Sequence, residues 1–377
     1  MESYAAGETT PPLIEETIGA NLERTVAAYA DREALVEAAS GRRWTWAELN
    51  RDVDAFARGL LGAGIAKGDR VGIWAPNCAE WVIVQFATAK VGAILVNVNP
   101  SYRTHEFSYA VNQSGLRLLI AATSFKTSDY RGMVEETREQ CRGLQRVVYL
   151  DTDDWAALVA EGEGVSEEAL RERMASLEAG EPINIQYTSG TTGYPKGATL
   201  SHRNILNNGF FTTELINFTA EDRLCIPVPF YHCFGMVMGN LGCSTHGATM
   251  VIPSPGFDPA TTLRVVAEDE IAAEDETAAE DEAGAQDETV DEDETSGTDE
   301  SETDEPRQQQ DDDGQPVGQH GTVRRESRIA DKLQTIAHRG QSGFAAGRRG
   351  PAHRAWRPPR HRPSPAPGRS ASSQDNP

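Results

Sequence analysis

The sequence lacks the cysteine pattern of a disulfide framework or a zinc site. Its 377 residues contain five cysteines, an odd number, and none of them forms a Cys-x-x-Cys pair. This usage is typical of a reducing compartment, so we predict a cytoplasmic location. Because the chain starts Met1-Glu2-Ser3, without a basic start or an apolar stretch, we also expect no signal peptide.

Long hydrophobic runs are missing as well. The longest apolar stretch, residues 81–96, is interrupted by Gln85 and Lys90. A membrane-spanning helix needs about 20 consecutive, predominantly apolar residues. We therefore predict no transmembrane segment, and we interpret residues 81–96 as a buried helix followed by a strand.

The charge is distributed unevenly along the chain. Residues 1–266 contain 22 basic and 32 acidic residues, residues 267–313 contain 1 and 23, and residues 314–377 contain 12 and 3. The middle segment has no aromatic and few aliphatic residues, so it cannot bury enough apolar surface to offset its ordering entropy. We predict an ordered domain over residues 12–266, an acidic low-complexity disordered segment over 267–313, and a basic Arg/Pro/Gly-rich disordered tail over 314–377.

A basic surface, which a nucleic-acid partner requires, is not indicated for the ordered part. The tail is basic, but it lacks interleaved aromatic residues and follows an acidic run that would compete for it. We therefore predict no nucleic-acid partner. The acidic, lysine-poor composition of the ordered part is typical of proteins that stay hydrated in high salt.

The first 260 residues alternate helical and strand patterns, which indicates an α/β fold. The strand segments are short, apolar and rich in Val and Ile, as expected for a mostly parallel sheet covered by helices on both faces. The predicted strands are 71–74, 94–98, 118–121, 147–150 and 183–187. The predicted helices follow a Thr45/Glu48 capping box and cover about 79–91 and 104–112, and 151–180 is predicted as a polar helical connection.

One segment after strand 183–187 concentrates residues that suit phosphate binding. Its glycines allow backbone amides to point towards an anion, and its Ser and Thr residues add hydroxyl donors. Lys196 supplies a positive charge, and Pro195 restricts the backbone just before it. The predicted phosphate-binding residues are Thr188, Ser189, Gly190, Thr191, Thr192, Gly193, Tyr194, Pro195 and Lys196.

This segment is not a Walker A loop, because Lys196 is followed by Gly197 and Ala198 where that motif needs Lys-Ser or Lys-Thr. The alternative is a polar surface loop, since clusters of Gly, Ser and Thr often mark only that. The lysine, the proline and the preceding strand favour the phosphate-binding interpretation.

The segment Thr-Ser-Gly-Thr-Thr-Gly-Tyr-Pro-Lys-Gly resembles the signature of the adenylate-forming superfamily. This superfamily includes acyl-CoA synthetases, luciferases and peptide-synthetase adenylation domains. Other family-like segments are found over residues 44–49, 68–71, 96–103, 198–204 and 227–235. The resemblance covers about residues 12–266 and is closest to the medium-chain fatty acyl-CoA ligases.

The resemblance implies the N-terminal portion of the adenylate-forming fold, with largely parallel sheets flanked by helices. It implies that Thr188 to Lys196 hold the phosphates of ATP, accompanied by Mg²⁺, and that coenzyme A is a co-substrate. It also places His232 near the acyl and adenylate pocket; a satisfied core histidine is the alternative. In the implied reaction a carboxylate attacks the α-phosphorus of ATP, and the coenzyme A thiolate then displaces AMP.

The later motifs of the family have no match in this chain. The Tyr-Gly-x-Thr-Glu element, whose glutamate is tied to magnesium, is impossible because no tyrosine follows Tyr231. The Thr-Gly-Asp element and the C-terminal catalytic lysine are also unmatched, and Lys332 is the only candidate for the latter. We therefore predict a truncated and inactive ligase, with an insertion near Ala267 and a frameshift after it. The alternative is a non-enzymatic protein that has kept nucleotide or acyl binding.

Overall fold

The structure is a computed structural model that describes residues 11–188 and 195–268. Six residues of the predicted phosphate loop, 189–194, lie outside the described residues. The acidic segment from 269 and the basic tail to 377 also lie outside them. The predictions of disorder made for those segments therefore stay predictions.

The described strands are all short, between two and seven residues. In chain order they are β1 (Glu33–Glu37), β2 (Arg42–Thr45), β3 (Arg70–Trp74), β4 (Ile94–Asn97), β5 (Leu118–Ala121), β6 (Ser124–Phe125), β7 (Ser128–Asp129), β8 (Arg146–Tyr149), β9 (Pro182–Thr188), β10 (Lys196–Ser201), β11 (Arg223–Cys225) and β12 (Thr249–Ile252).

The helices alternate with these strands along most of the chain. They are α1 (Ile18–Tyr29), α2 (Trp46–Gly62), α3 (Ala79–Val91), α4 (Thr104–Ser114), α5 (Tyr130–Thr137), α6 (Asp153–Ala160), α7 (Glu167–Ala175), α8 (His202–Glu214) and α9 (Gly242–His246). A 3₁₀ turn covers Glu161–Gly164, a π-helix covers Phe234–Leu241, and residues 259–268 are helical. This last helix continues two residues past the predicted domain boundary at 266.

The larger sheet has six strands in the order β10-β9-β4-β3-β5-β8. Five of them are parallel, and β10 pairs antiparallel with β9 at one edge. Parallel strands are joined by helical crossovers that cover the faces of the sheet, which explains why these strands read as continuous apolar runs. The predicted α/β fold with a largely parallel sheet is confirmed.

A second sheet joins the two ends of the described chain, in the order β11-β12-β1-β2. The early strand β1 pairs in parallel with β12, so that Leu35 lies opposite Met250 and Val36 opposite Val251. The sequence analysis predicted neither β1 nor β12. The pairing is set by residues more than 200 positions apart, which a local pattern does not reveal.

Helix α3 explains the longest apolar stretch of the sequence. It begins and ends at the predicted residues, and every one of its residues except Glu80 is buried. It stops at Gly92, whose φ of 71° is readily adopted only by glycine. The predicted capping box is also confirmed, because the Thr45 and Glu48 side chains each accept a hydrogen bond from the other residue's backbone N–H at the start of α2.

Three helices meet at a lysine that has no solvent exposure. The Lys90 ammonium group on α3 donates to Asn50 Oδ1 at 2.7 Å and Asp54 Oδ1 at 2.5 Å on α2, and to Glu23 on α1. A buried charge is costly unless it is paired and hydrogen-bonded. These three acceptors compensate the charge and fix the relative positions of α1, α2 and α3.

Candidate functional site

The two strands that flank the predicted phosphate loop are paired with each other. Strand β9 ends at Thr188 and β10 begins at Lys196, and these two residues lie directly opposite each other in the antiparallel ladder. The next pair is Tyr187 with Gly197. Both ends of the loop are therefore fixed to an edge of the six-stranded sheet.

Helix α4 contacts the loop at its second end. The Tyr109 hydroxyl donates to the Pro195 carbonyl at 3.1 Å and accepts from Gln113 Nε2 at 2.9 Å. On β9, just before the first end of the loop, the Tyr187 hydroxyl donates to the Ala110 carbonyl of α4 at 3.1 Å. Burial raises the pKa of Tyr187 above its usual value, which keeps this hydroxyl neutral and able to donate.

Lys196 is exposed and forms no salt bridge with any carboxylate in residues 11–188 and 195–268. The Thr188 hydroxyl is also exposed and lies 3.4 Å from the Lys196 carbonyl. Since no described carboxylate pairs with it, the Lys196 ammonium group is accessible to an anionic ligand. The described ends of the loop thus present a cation and a hydroxyl at one place.

His232 lies in an exposed turn just before the π-helix. Its Nδ1 accepts a hydrogen bond from the Phe234 backbone N–H at 3.1 Å. In the neutral ring this acceptor role places the remaining proton on Nε2, to which no described residue hydrogen-bonds. His232 is therefore a surface donor, and the alternative of a satisfied core histidine does not describe it.

The π-helix Phe234–Leu241 holds this turn from the C-terminal side. The backbone N–H groups of Gly235 and Met236 both donate to the His232 carbonyl, at 3.0 and 3.2 Å. A Cβ on Gly235 would lie 2.5 Å from the Pro229 carbonyl oxygen, so only glycine fits there. The sequence did not predict a π-helix, an element that occurs frequently at functional sites.

Buried amide side chains fix the same turn to the rest of the fold. Asn77 donates to the Val228 carbonyl at 2.9 Å and accepts from the Phe230 N–H at 2.8 Å. Asn97, at the end of β4, donates to the Tyr231 carbonyl at 3.0 Å. Neither role could be predicted from the sequence, because a single asparagine at or after the end of an apolar strand carries no distinctive pattern.

The described residues do not form a metal centre on their own. Within residues 11–188 and 195–268, no three His, Cys, Asp or Glu side chains are grouped closely enough to hold an ion. A magnesium ion that entered with ATP would need ligands from the nucleotide and from other residues.

None of the helices in the described part of the chain combines the length and the apolar character needed to cross a membrane. This agrees with the interruption of the longest apolar stretch by Gln85 and Lys90.

The family is decided by a comparison with known proteins. The model of the family described as AMP-binding enzyme matches residues 22–273, two thirds of the chain. The chain belongs to the AMP-binding enzyme family. The resemblance noted from the loop motif is thereby confirmed, and its predicted range of 12–266 nearly coincides with the match.

Several relatives within the AMP-binding enzymes are acyl-CoA ligases. The mitochondrial medium-chain acyl-CoA ligase ACSF2 of Danio rerio is 39% identical in an alignment of 288 positions, which covers 71% of this chain and 48% of ACSF2. The acyl-CoA ligase SID4 of Ajellomyces capsulatus is 37% identical over 273 residues, 70% of this chain and 46% of SID4. This chain spans about half the length of the relatives that it matches.

The solved structures agree on the fold. MbtA of Mycobacterium smegmatis, in its apo form, is 28% identical with a TM-score of 0.59, over 68% of this chain and 47% of MbtA. The described part of this chain thus resembles the N-terminal domain of adenylate-forming enzymes in its fold.

Proposed function

We propose that this chain provides the ATP-binding part of an AMP-forming acyl-CoA ligase. Its ligands would be ATP, with Mg²⁺, and a carboxylic acid of the fatty-acid class, with coenzyme A as the later co-substrate. The proposal rests on one observation above all. The antiparallel pair β9–β10 fixes Thr188 and the cation Lys196, which pairs with no carboxylate of the described residues, at the two ends of a loop rich in glycine and hydroxyl side chains.

The chemistry of the first half-reaction fits these groups. When a carboxylate attacks the α-phosphorus of ATP, the protein does not need to form a covalent bond. It needs to position the two reactants and to compensate the negative charge of the phosphates. We assign charge compensation to Lys196, and we assign the Nε2–H of His232 to a hydrogen bond with the carboxylate or the adenylate.

We further propose that the 377-residue chain does not complete this reaction alone. Its sequence contains no match to the family's Tyr-Gly-x-Thr-Glu or Thr-Gly-Asp elements. Without the groups that bind the metal and the ribose, most of the stabilisation of the transition state would be lost. One relative, ACSF2, is a medium-chain acyl-CoA ligase, so medium-chain fatty acids are the substrates to test first.

Two measurements on the full chain test these proposals. In a calorimetric titration, we expect ATP to bind the native chain and Lys196→Ala to weaken that binding by about tenfold or more. Lys126→Ala, which removes another exposed lysine, should leave it unchanged. If the native chain does not bind ATP, the nucleotide-binding proposal is wrong.

Pyrophosphate exchange with octanoate measures the first half-reaction separately. We expect no exchange above background. Exchange by the native chain would contradict the inactivity that we propose. ATP binding without exchange would support both the proposed nucleotide binding and the proposed inactivity.

We also propose a cytoplasmic location, because the cysteine usage is typical of a reducing compartment. Cell fractionation followed by detection of the chain tests this, and recovery in an organelle or membrane fraction would contradict it.

A further inference from the structure

Strand β9, which leads into the predicted phosphate loop, contacts the π-helix that follows the His232 turn at one buried sulfur atom, Met236 Sδ. Gln186 Nε2, on β9, lies 3.1 Å from Met236 Sδ in the π-helix. Asn97 Nδ2, at the end of β4, lies 3.1 Å from the same sulfur and also donates to the Tyr231 carbonyl. Met236 is 1% exposed, and the two amide side chains are 5% and 2% exposed.

A third amide connects the two strands behind this contact. Asn184 Nδ2, on β9, donates to Asn97 Oδ1 at 2.9 Å and to the Leu95 carbonyl at 3.0 Å. Asn97 is therefore oriented by Asn184 on one side while it holds the His232 turn on the other. We call Asn97, Asn184, Gln186 and Met236 the amide–sulfur cluster.

The cluster connects strand β9, which leads into the predicted phosphate loop, to the His232 turn. Gln186 precedes Thr188 by two residues, and the Met236 backbone N–H donates to the His232 carbonyl at 3.2 Å. A buried amide that loses its partner costs more than its bond contributes, so these contacts resist separation. A shift of the turn relative to β9 would leave two buried amide donors without acceptors.

We propose that Gln186 and Asn97 are positioning residues, which act through Met236 to set the distance between the phosphate loop and the His232 turn. This inference rests on the proposed function, in which the loop binds phosphates and the turn contacts the acyl group. A ligand that spans both elements, an acyl-adenylate, depends on that distance. ATP alone depends mainly on the loop, whose ends are held separately by the β9–β10 pair and by Tyr109.

The experiment compares two probes on the full chain by calorimetry: ATP, and octanoyl-sulfamoyl adenosine, a stable mimic of an acyl-adenylate. We expect Gln186→Leu and Met236→Leu each to weaken binding of the mimic about tenfold and binding of ATP less than about threefold. Both variants break the Gln186–Met236 contact, and Met236→Leu also removes the contact of Asn97, so the double variant should bind the mimic no more weakly than Met236→Leu does.

A matched control removes a buried amide elsewhere. Asn207, in the middle of α8, accepts from the Ile14 N–H at 2.7 Å and donates to the Ile14 carbonyl at 2.9 Å, and it has no hydrogen bond to the amide–sulfur cluster among the described residues. Asn207→Leu should lower the free energy of unfolding by about as much as Gln186→Leu does, and it should leave the affinity for both probes unchanged. Urea unfolding of all variants measures that loss of stability.

Each outcome decides the matter. Selective, non-additive loss of mimic binding supports the inference. Equal loss for both probes, no loss, or additive effects of the two substitutions would overturn it while leaving the proposed function in place. If the native chain binds neither probe, the proposed function fails, and the inference fails with it.

Discussion

The Tyr109 hydroxyl of α4 donates a hydrogen bond to the Pro195 carbonyl, the residue directly before Lys196, across 3.1 Å. Helix α4 thereby contacts the end of the phosphate loop that carries its cation. A cation that is held in position binds an anion more strongly than a mobile one, so this contact should contribute to nucleotide affinity.

We expect Tyr109→Phe to weaken ATP binding by about threefold to tenfold, which corresponds to one hydrogen bond. Calorimetric titration measures the change. Tyr130→Phe is the matched control, since the Tyr130 hydroxyl donates to the Pro100 carbonyl at 2.9 Å, away from the loop. If both variants weaken ATP binding equally, the loss of affinity comes from a general loss of stability, and the role that we propose for Tyr109 is contradicted.

The buried Lys90 cluster should respond asymmetrically to substitution. The double variant Glu23→Gln, Asp54→Asn leaves a fully buried ammonium group without a counter-ion, and we expect it to cost about 3 kcal/mol of unfolding free energy. Lys90→Met should cost less, about 1 kcal/mol, because the two carboxylates it leaves behind are partly exposed and can be hydrated.

Urea denaturation at neutral pH measures both variants of the Lys90 cluster. A larger loss for Lys90→Met than for the double variant would show that the carboxylates, not the ammonium group, are the costly charges here.

His202 makes the stability of the fold depend on pH. Burial lowers its pKa from 6.5 to about 4, with a smaller opposing effect of Glu181, and its Nδ1 accepts from the Ile18 N–H at 3.1 Å. The unfolded chain binds this proton near pH 6.5 while the folded chain does not. The stabilisation is therefore complete above pH 6.5 and is lost as the pH falls towards 4, by up to about 3 kcal/mol.

Urea unfolding between pH 7 and 4.5 tests this dependence. His202→Gln should reduce the slope of unfolding free energy against pH, whereas His105→Gln, which replaces an exposed histidine, should keep it. An unchanged slope in His202→Gln would mean that other groups control the acid sensitivity.

The turn that carries His232 should not tolerate a side chain at Gly235. Because an added Cβ would lie 2.5 Å from the Pro229 carbonyl oxygen, we expect Gly235→Ala to destabilise the fold by about 1–3 kcal/mol. At Gly164 an added Cβ meets nothing within 4 Å, so Gly164→Ala should be neutral. Thermal unfolding compares the two, and equal melting temperatures would contradict the close contact at Gly235.

Much of the larger sheet could be predicted because its signals are local. Strand β5 and helix α3 have the predicted bounds, since short apolar runs and a glycine stop are visible in the sequence. Strand β1 was missed because Glu33–Glu37 contains only three apolar residues and becomes a strand through its distant partner β12.

The candidate site divides in the same way. The phosphate loop could be predicted from the sequence because its residues are contiguous and their types suit anions, and its binding of phosphate stays a prediction. The contacts of Tyr109, Asn97 and Gln186, on which their proposed roles depend, could not be predicted because each joins a residue far along the chain. Such contacts depend on how strands and helices assemble, and no spacing rule in the sequence records them.

The antiparallel ladder that places Thr188 opposite Lys196 has a consequence for how this region can vary. Side chains in a strand alternate between the two faces of a sheet, so the loss or gain of one residue within β10 would turn Lys196 to the other face. A substitution in β10 changes one side chain only. An insertion or deletion in β10 moves the side chains between it and the loop to the opposite face of the sheet. At this edge of the sheet, the length of β10 is therefore more strictly constrained than the identity of its residues.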